Sequence, residues 1–95
     1  MPAAPKQLRI VNKDFGKLII GRDGVCLYGL FMRDACSGGL DPHHMKTRGS
    51  GGGDTLENGI TLCRRHHDLA QNNRISITEL HNILNTYYGY TYPED

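Results

Sequence analysis

The stretch from Thr47 to Gly59 reads TRGSGGGDTLENG, and its five glycines rule out a helix or strand running through it. Whatever this chain folds into must be assembled from two parts joined by a flexible connection. On the near side, Leu40 to Lys46 (LDPHHMK) is short, flanked by glycine and reads as a strand. On the far side, Ile60-Thr61-Leu62 is β-prone and predicts a strand that pairs back on the first. Each side carries an adjacent histidine pair, His43-His44 before the loop and His66-His67 after it. Four of the five histidines are therefore placed in twos.

The core must be made from little. Only 38% of the 95 residues are hydrophobic, none is tryptophan and 12 are glycine. A chain of this size buries about 60–65% of its unfolded surface, so a metal staple or a partner chain would be a natural supplement. One domain is expected, with no internal repeat. Residues 1–15 hold Pro2 and Pro5 among scattered charges and read as a loose, basic lead-in, drawn here to residue 20. Lys17 to Gly21 (KLIIG) fits either a short strand or one helical turn. Gly21 to Gly29 (GRDGVCLYG) reads as turn-rich, with Asp23-Gly24 a strong turn dipeptide. From Cys63 to about Asn72 the composition is helical. Ser76 and Glu79 form an S-x-x-E capping box that opens a second helix. Its apolar stripe is Ile77, Leu80, Ile83, Leu84, Tyr87 and Tyr88, and Gly89 ends it. Residues 76–95 thus form a C-terminal helix and tail, the last three residues acidic and frayed.

A formal charge of +1 neither favours nor excludes a nucleic-acid partner; the distribution says more. Lys6, Arg9, Lys13, Lys17, Arg22, Arg33, Lys46 and Arg48 lie in the N-terminal half, and Arg64-Arg65 stand beside the second histidine pair. The start MPAAPKQLRI has no apolar signal core, and the longest apolar runs are too short for a bilayer. A cytoplasmic location without membrane association is expected. In that reducing setting three cysteines near histidines suggest metal more than disulfide.

Geometry divides the histidine pairs. Neighbours on a strand point to opposite faces, so His43 and His44 cannot both bind one ion. On a helix, His66 and His67 diverge by about 100°. His66 follows Cys63 by one turn, and Cys63-x-x-His66 is a metal half-site by spacing. His67 faces elsewhere, with Gln71 one turn beyond it. Each pair reads as two roles side by side.

Taken in order, Asp41-Pro42-His43-His44-Met45, the loop Arg48 to Asp54, Asn58 and Leu62-Cys63-Arg64-Arg65-His66-His67 resemble the HNH endonucleases. These are also called ββα-metal or His-Me finger nucleases. The resemblance spans residues 22 to 72, and His67 follows Asn58 by nine positions, as in the colicin DNases. It implies an α+β fold with a small ββα-metal core over residues 21–75 and an additional C-terminal helix. It implies a metal-dependent endonuclease that hydrolyses DNA phosphodiester bonds, nicking or cutting both strands with weak sequence specificity. By that likeness His43 is the first metal ligand, His44 the general base and His67 the helix-borne ligand. Asn58 orients the base through the loop backbone or, in some relatives, binds the metal. Gln71 stands where colicin-type members have a further histidine, which leaves a thinner metal shell. The ion would be Mg²⁺, Mn²⁺, Ni²⁺, Co²⁺ or Zn²⁺, with histidine ligation favouring the later, softer ions. Likeness to small stand-alone phage or prophage HNH proteins adds the phage terminase and DNA packaging as a further expectation, in the host cytoplasm, as monomer or homodimer. The rival is a non-catalytic zinc-stabilised nucleic-acid-binding module of the same fold; an RNase or junction nuclease is more distant.

Relatives often hold a structural zinc between two CxxC knuckles. Here the first reads Cys26-Leu27-Tyr28-Gly29, with glycine in place of the second cysteine. Two outcomes stay open. Cys36 swings back through Gly38-Gly39 and completes a Cys26/Cys36/Cys63/His66 zinc site, or contacts of Tyr28, Leu30 and Phe31 replace the metal. Arg48, Arg64 and Arg65 are candidate phosphate contacts, each nearly as compatible with a solvated surface role, with Arg48 favoured because it borders the glycine-rich loop. The late tyrosines fit packing better than base stacking, and lone His81 fits an exposed helix position.

Overall fold

The computed structural model describes residues 9–92. The expected acidic end, Pro93 to Asp95, and residues 1–8 of the basic lead-in, Lys6 included, lie outside that range. Among the described residues the fold is α+β. Helix α1 (Phe15–Asp23) and helix α2 (Leu27–Met32) precede strand β1 (Leu40–His44). The glycine-rich segment follows, then strand β2 (Gly59–Cys63), helix α3 (Arg64–Gln71) and helix α4 (Ile77–Tyr88). The strands form one antiparallel pair, with Leu40 opposite Cys63 and His44 opposite Gly59. The predicted return of the second strand onto the first is what the chain does, although β1 ends at His44 rather than running to Lys46.

Strand β2 is buried along its whole length, since helices cover what the two-stranded sheet cannot. Ile60 and Leu62 enter a core shared with Cys26, Leu27, Ile75, Leu80, Ile83 and Leu84. Tertiary packing of α4 thus supplies the mass that composition said was scarce. Its start is the predicted capping box: Ser76 Oγ accepts from Glu79 N and the Glu79 carboxylate accepts from Ser76 N, both at 3.1 Å. Gly89, at φ +75°, ends it in the left-handed conformation. Ser76→Ala should cost about 1 kcal/mol, readable as a lower urea midpoint with no change in slope.

Near the N-terminus the structure resolves one open reading and corrects another. KLIIG is helical, the middle of α1, because Phe15 and Ile19 lie one turn apart and both bury. The expected boundary at residue 20 therefore falls inside a helix that packs on the hairpin. Asp23 Oδ2 accepts the Thr61 amide at 2.8 Å, and Ile19 O accepts from Thr61 Oγ1 at 3.1 Å, so α1 straps β2. The turn-rich reading of 21–29 holds only for Gly24 to Cys26, between the two helices. The chain then re-enters a helix at Leu27, because Cys26 caps it by accepting Gly29 N on its sulfur at 3.4 Å.

The late tyrosines pack. Tyr88 donates to Asp23 Oδ1 at 2.6 Å and Tyr92 to Glu57 O at 2.7 Å. Tyr87 meets Phe31 edge-on. His81 is half-buried rather than exposed, stacked on Tyr92 with ring centroids 3.8 Å apart.

Candidate metal centre and active site

Cys63 is the last residue of β2 and the N-cap of α3, its sulfur facing the His66 amide at 3.5 Å. That cap places the His66 ring one turn on, fully buried, over the same sulfur. Cys26 repeats the arrangement at the start of α2. Cys26 Sγ and Cys63 Sγ each lie 3.2 Å from His66 Nδ1, and Cys36 Sγ lies 3.8 Å from it. All four donor atoms fall within 4.8 Å of one another. A tetrahedron with metal–sulfur bonds of ~2.3 Å has edges of ~3.8 Å, so three thiols and one imidazole are placed to hold a metal ion.

The missing second cysteine of the first knuckle is explained by the same geometry. A Cβ at Gly29 would fall on the sulfur of Cys36. Glycine there leaves room for the thiol of Cys36, which follows Cys26 with nine residues between them. The 37–39 segment carrying it is pinned to α3, since Arg64 N donates to Gly39 O at 2.9 Å and Arg65 N to Ser37 O at 3.1 Å. Of the residues in the alternative knuckle, Tyr28 and Phe31 pack against the core while Leu30 is 56% exposed. Gly29→Ala should cost about 1–3 kcal/mol through that collision and lower the bound-metal content. Pairing Gly29→Cys with Cys36→Ser should restore the metal by returning the thiol to the knuckle.

Crowded thiols disfavour shared negative charge. Burial and the sulfurs of Cys63 and Cys26 push Cys36 up to about 12. Burial works against Cys63 as well, yet the amides of His66 and Ser37 hold it down at about 7. A bound cation relieves that conflict. The outer side of His66 is also prepared: Nε2 donates to Asp34 Oδ2 at 2.7 Å, which leaves Nδ1 for the ion. Asp34 is held down at about 2 by Arg65, then by His66.

On the other side of the hairpin end, His43 and His67 come together edge-to-face with ring centroids 5.1 Å apart. Asp41 Oδ2 lies 3.0 Å from His67 Nδ1, leaving Nε2 of that ring as the second nitrogen. Burial first, then the rings of His67 and His44, lower His43 to about 4. It is thus neutral at pH 7, the form in which imidazole binds a metal. These two histidines supply two nitrogens; among the described residues, the Cys/His cluster is the one group of three or more metal donors.

His44 faces away from His43. Its ring stacks on Phe15 at 4.1 Å with an 11° tilt, and its Nε2 lies 2.8 Å from Asp54 Oδ1. Asp54 is 5% exposed. The Asn12 amide, His44 and Arg9 hold it well below the usual carboxylate range. Asn58 grips the loop: Oδ1 accepts from Lys46 N at 2.8 Å, and Nδ2 donates to Lys46 O at 2.9 Å and Gly53 O at 3.0 Å. A side chain at Gly52 would collide with Lys46 O, so this glycine serves close approach rather than flexibility. The loop is a fitted wrap around the asparagine, with its amide committed to backbone.

Of the three arginines, Arg64 pairs with Asp41 at 3.2 Å and Arg65 with Asp34 at 2.7 Å. Both buttress histidine partners. Arg48 lies exposed in a short 3₁₀ turn of the loop. Sequence reasoning missed Asp54, Asp34 and Phe15; no spacing rule flags an aspartate that meets its histidine only through tertiary folding.

The chain matches no family model, no curated protein and no solved structure. No helix among the described residues is long and apolar enough to cross a membrane.

Proposed function

We propose that the chain is a metal-dependent DNA endonuclease of the HNH, or ββα-metal, kind. The observation that carries this reading is the division of labour on one hairpin. His43 and His67 converge on one place, while His44, next in sequence, is held separately by Asp54 and Phe15. A structural role alone would not need an imidazole with one nitrogen fixed and the other left over beside a second pair.

His43 and His67 would hold a divalent ion, Mg²⁺, Mn²⁺, Ni²⁺, Co²⁺ or Zn²⁺, whose charge offsets that building on phosphate oxygens during displacement. His44 takes a proton from water; the hydroxyl oxygen bonds to phosphorus as the P–O3′ bond breaks, and the leaving 3′ oxygen gains a proton from solvent. The products are a 5′-phosphate and a 3′-hydroxyl. Asn58 keeps the loop closed behind the base, a positioning role that suits its backbone hydrogen bonds better than ligation. Cys26, Cys36, Cys63 and His66 would hold a structural zinc, for which three thiols and an imidazole are a standard donor set. Arg48 is the arginine left to meet a phosphate. The phage terminase as partner rests on family likeness alone.

The test is supercoiled plasmid incubated with each ion in turn. Ion-dependent nicking or linearisation supports the reading; tight DNA binding without cleavage under every ion supports the non-catalytic module. Duplex, branched and RNA substrates compared side by side separate a DNase from its more distant rivals.

A further inference from the structure

The segment before α1, read from sequence as lead-in, reaches into the candidate active site. Arg9 Nη1 lies 3.0 Å from Asp54 Oδ1, and the Asn12 amide donates to Asp54 Oδ2 at 2.9 Å. In return the Asp54 amide donates to Ile10 O at 2.7 Å. Both carboxylate oxygens are thus occupied, and the side chain is 1% exposed. One further group reaches this carboxylate, His44 Nε2. An ionised carboxylate accepts hydrogen bonds and donates none, so the nitrogen facing it carries the hydrogen. The other nitrogen of the neutral ring then holds the lone pair.

We propose that Asp54, fixed by residues 9–12, is a positioning residue that sets His44 as its Nε2–H tautomer, so that Nδ1 is the nitrogen accepting the water's proton. This rests on the nuclease reading above. The physical reason is that a neutral imidazole has one basic nitrogen, and which one it is decides whether proton transfer is aligned. Phe15 fixes the plane of the ring by stacking; Asp54 fixes which edge faces inward. The N-terminal segment therefore belongs to the machinery, because it supplies two of the three hydrogen bonds to the Asp54 carboxylate.

The experiment joins a spectroscopic and a kinetic readout. ¹⁵N NMR of histidine-labelled protein at about pH 8, where unperturbed imidazoles are neutral, should show His44 protonated at Nε2. Asp54→Asn, whose amide can donate to that nitrogen, should shift the proton to Nδ1. Its turnover should fall ~10²-fold or more with KM for DNA little changed, and Asp54→Glu should recover part of the loss. An Nδ1–H His44 in the wild type overturns the inference and needs no variant to be seen. So does an Asp54→Asn protein that cuts as fast as a cutting wild type, which would leave the nuclease reading standing. A wild type that cuts nothing under any of the ions fails the nuclease reading itself, and Asp54's role with it.

Discussion

His44→Ala should abolish ion-dependent cleavage of plasmid DNA, by ~10²–10⁴-fold, while the protein stays folded and keeps its metal at the Cys/His cluster. The magnitude follows from what the ring is asked to do. Proton removal from water is the one step for which this site has no other aligned group, since His43 and His67 are paired with each other. Loss of the imidazole also removes its stacking on Phe15, worth about 1 kcal/mol. Asp54 would keep its contacts with Asn12 and Arg9, so no buried carboxylate is stranded. Metal analysis and thermal melting of the variant separate lost chemistry from lost structure. Equal cutting by variant and wild type would sink the mechanism.

Removal of the metal from the cysteine cluster should have the largest effect on stability. Structural zinc contributes ~10–16 kcal/mol of apparent binding free energy in small domains, against a total margin of ~5–15 kcal/mol for a typical fold. A strong chelator, or Cys63→Ser, should therefore leave the chain largely unfolded at 25 °C, seen as loss of helical circular dichroism. The position of the four ligands explains the size of the effect. Cys26 begins α2, Cys63 joins β2 to α3, and Cys36 lies in the segment laid over the start of α3. One ion held here would tie the start of α2 and the segment before β1 to the junction of β2 and α3. Cys36 is exposed, which gives a chelator its point of entry. The purified protein should carry one zinc per chain from this cluster before any ion is added. A metal-free protein with an unchanged melting curve would refute the staple.

Parts of this outcome could be read before folding because they are local. Helix α4 has its cap, stripe and glycine stop within fourteen consecutive positions, Ser76 to Gly89, so its signal needs no partner. The divergence of His66 and His67 by about 100° follows from helix pitch, and the opposite facing of His43 and His44 from strand pleat. Helix α1 was ambiguous because five residues cannot distinguish a strand from a helical turn; its buried face is decided by contact with β2. Helix α2 was hidden because glycine at position 29 looks like a turn residue, and its reason for being there is a sulfur seven residues later.

By itself, then, the sequence determined that a glycine-rich segment separates two histidine-bearing parts and that each histidine pair must divide its directions. It also made a metal staple or a partner chain a natural supplement to a lean core. These are consequences of chain length, backbone periodicity and residue type. Only the tertiary structure decided that Cys36 fills the place left by Gly29, that Asn58 is the post around which the loop closes, and that the segment 9–12 reaches Asp54 as Asp54 reaches His44. Those contacts join residues far apart along the chain, and their meeting depends on packing of α1 and α3 around one hairpin, which no local spacing encodes.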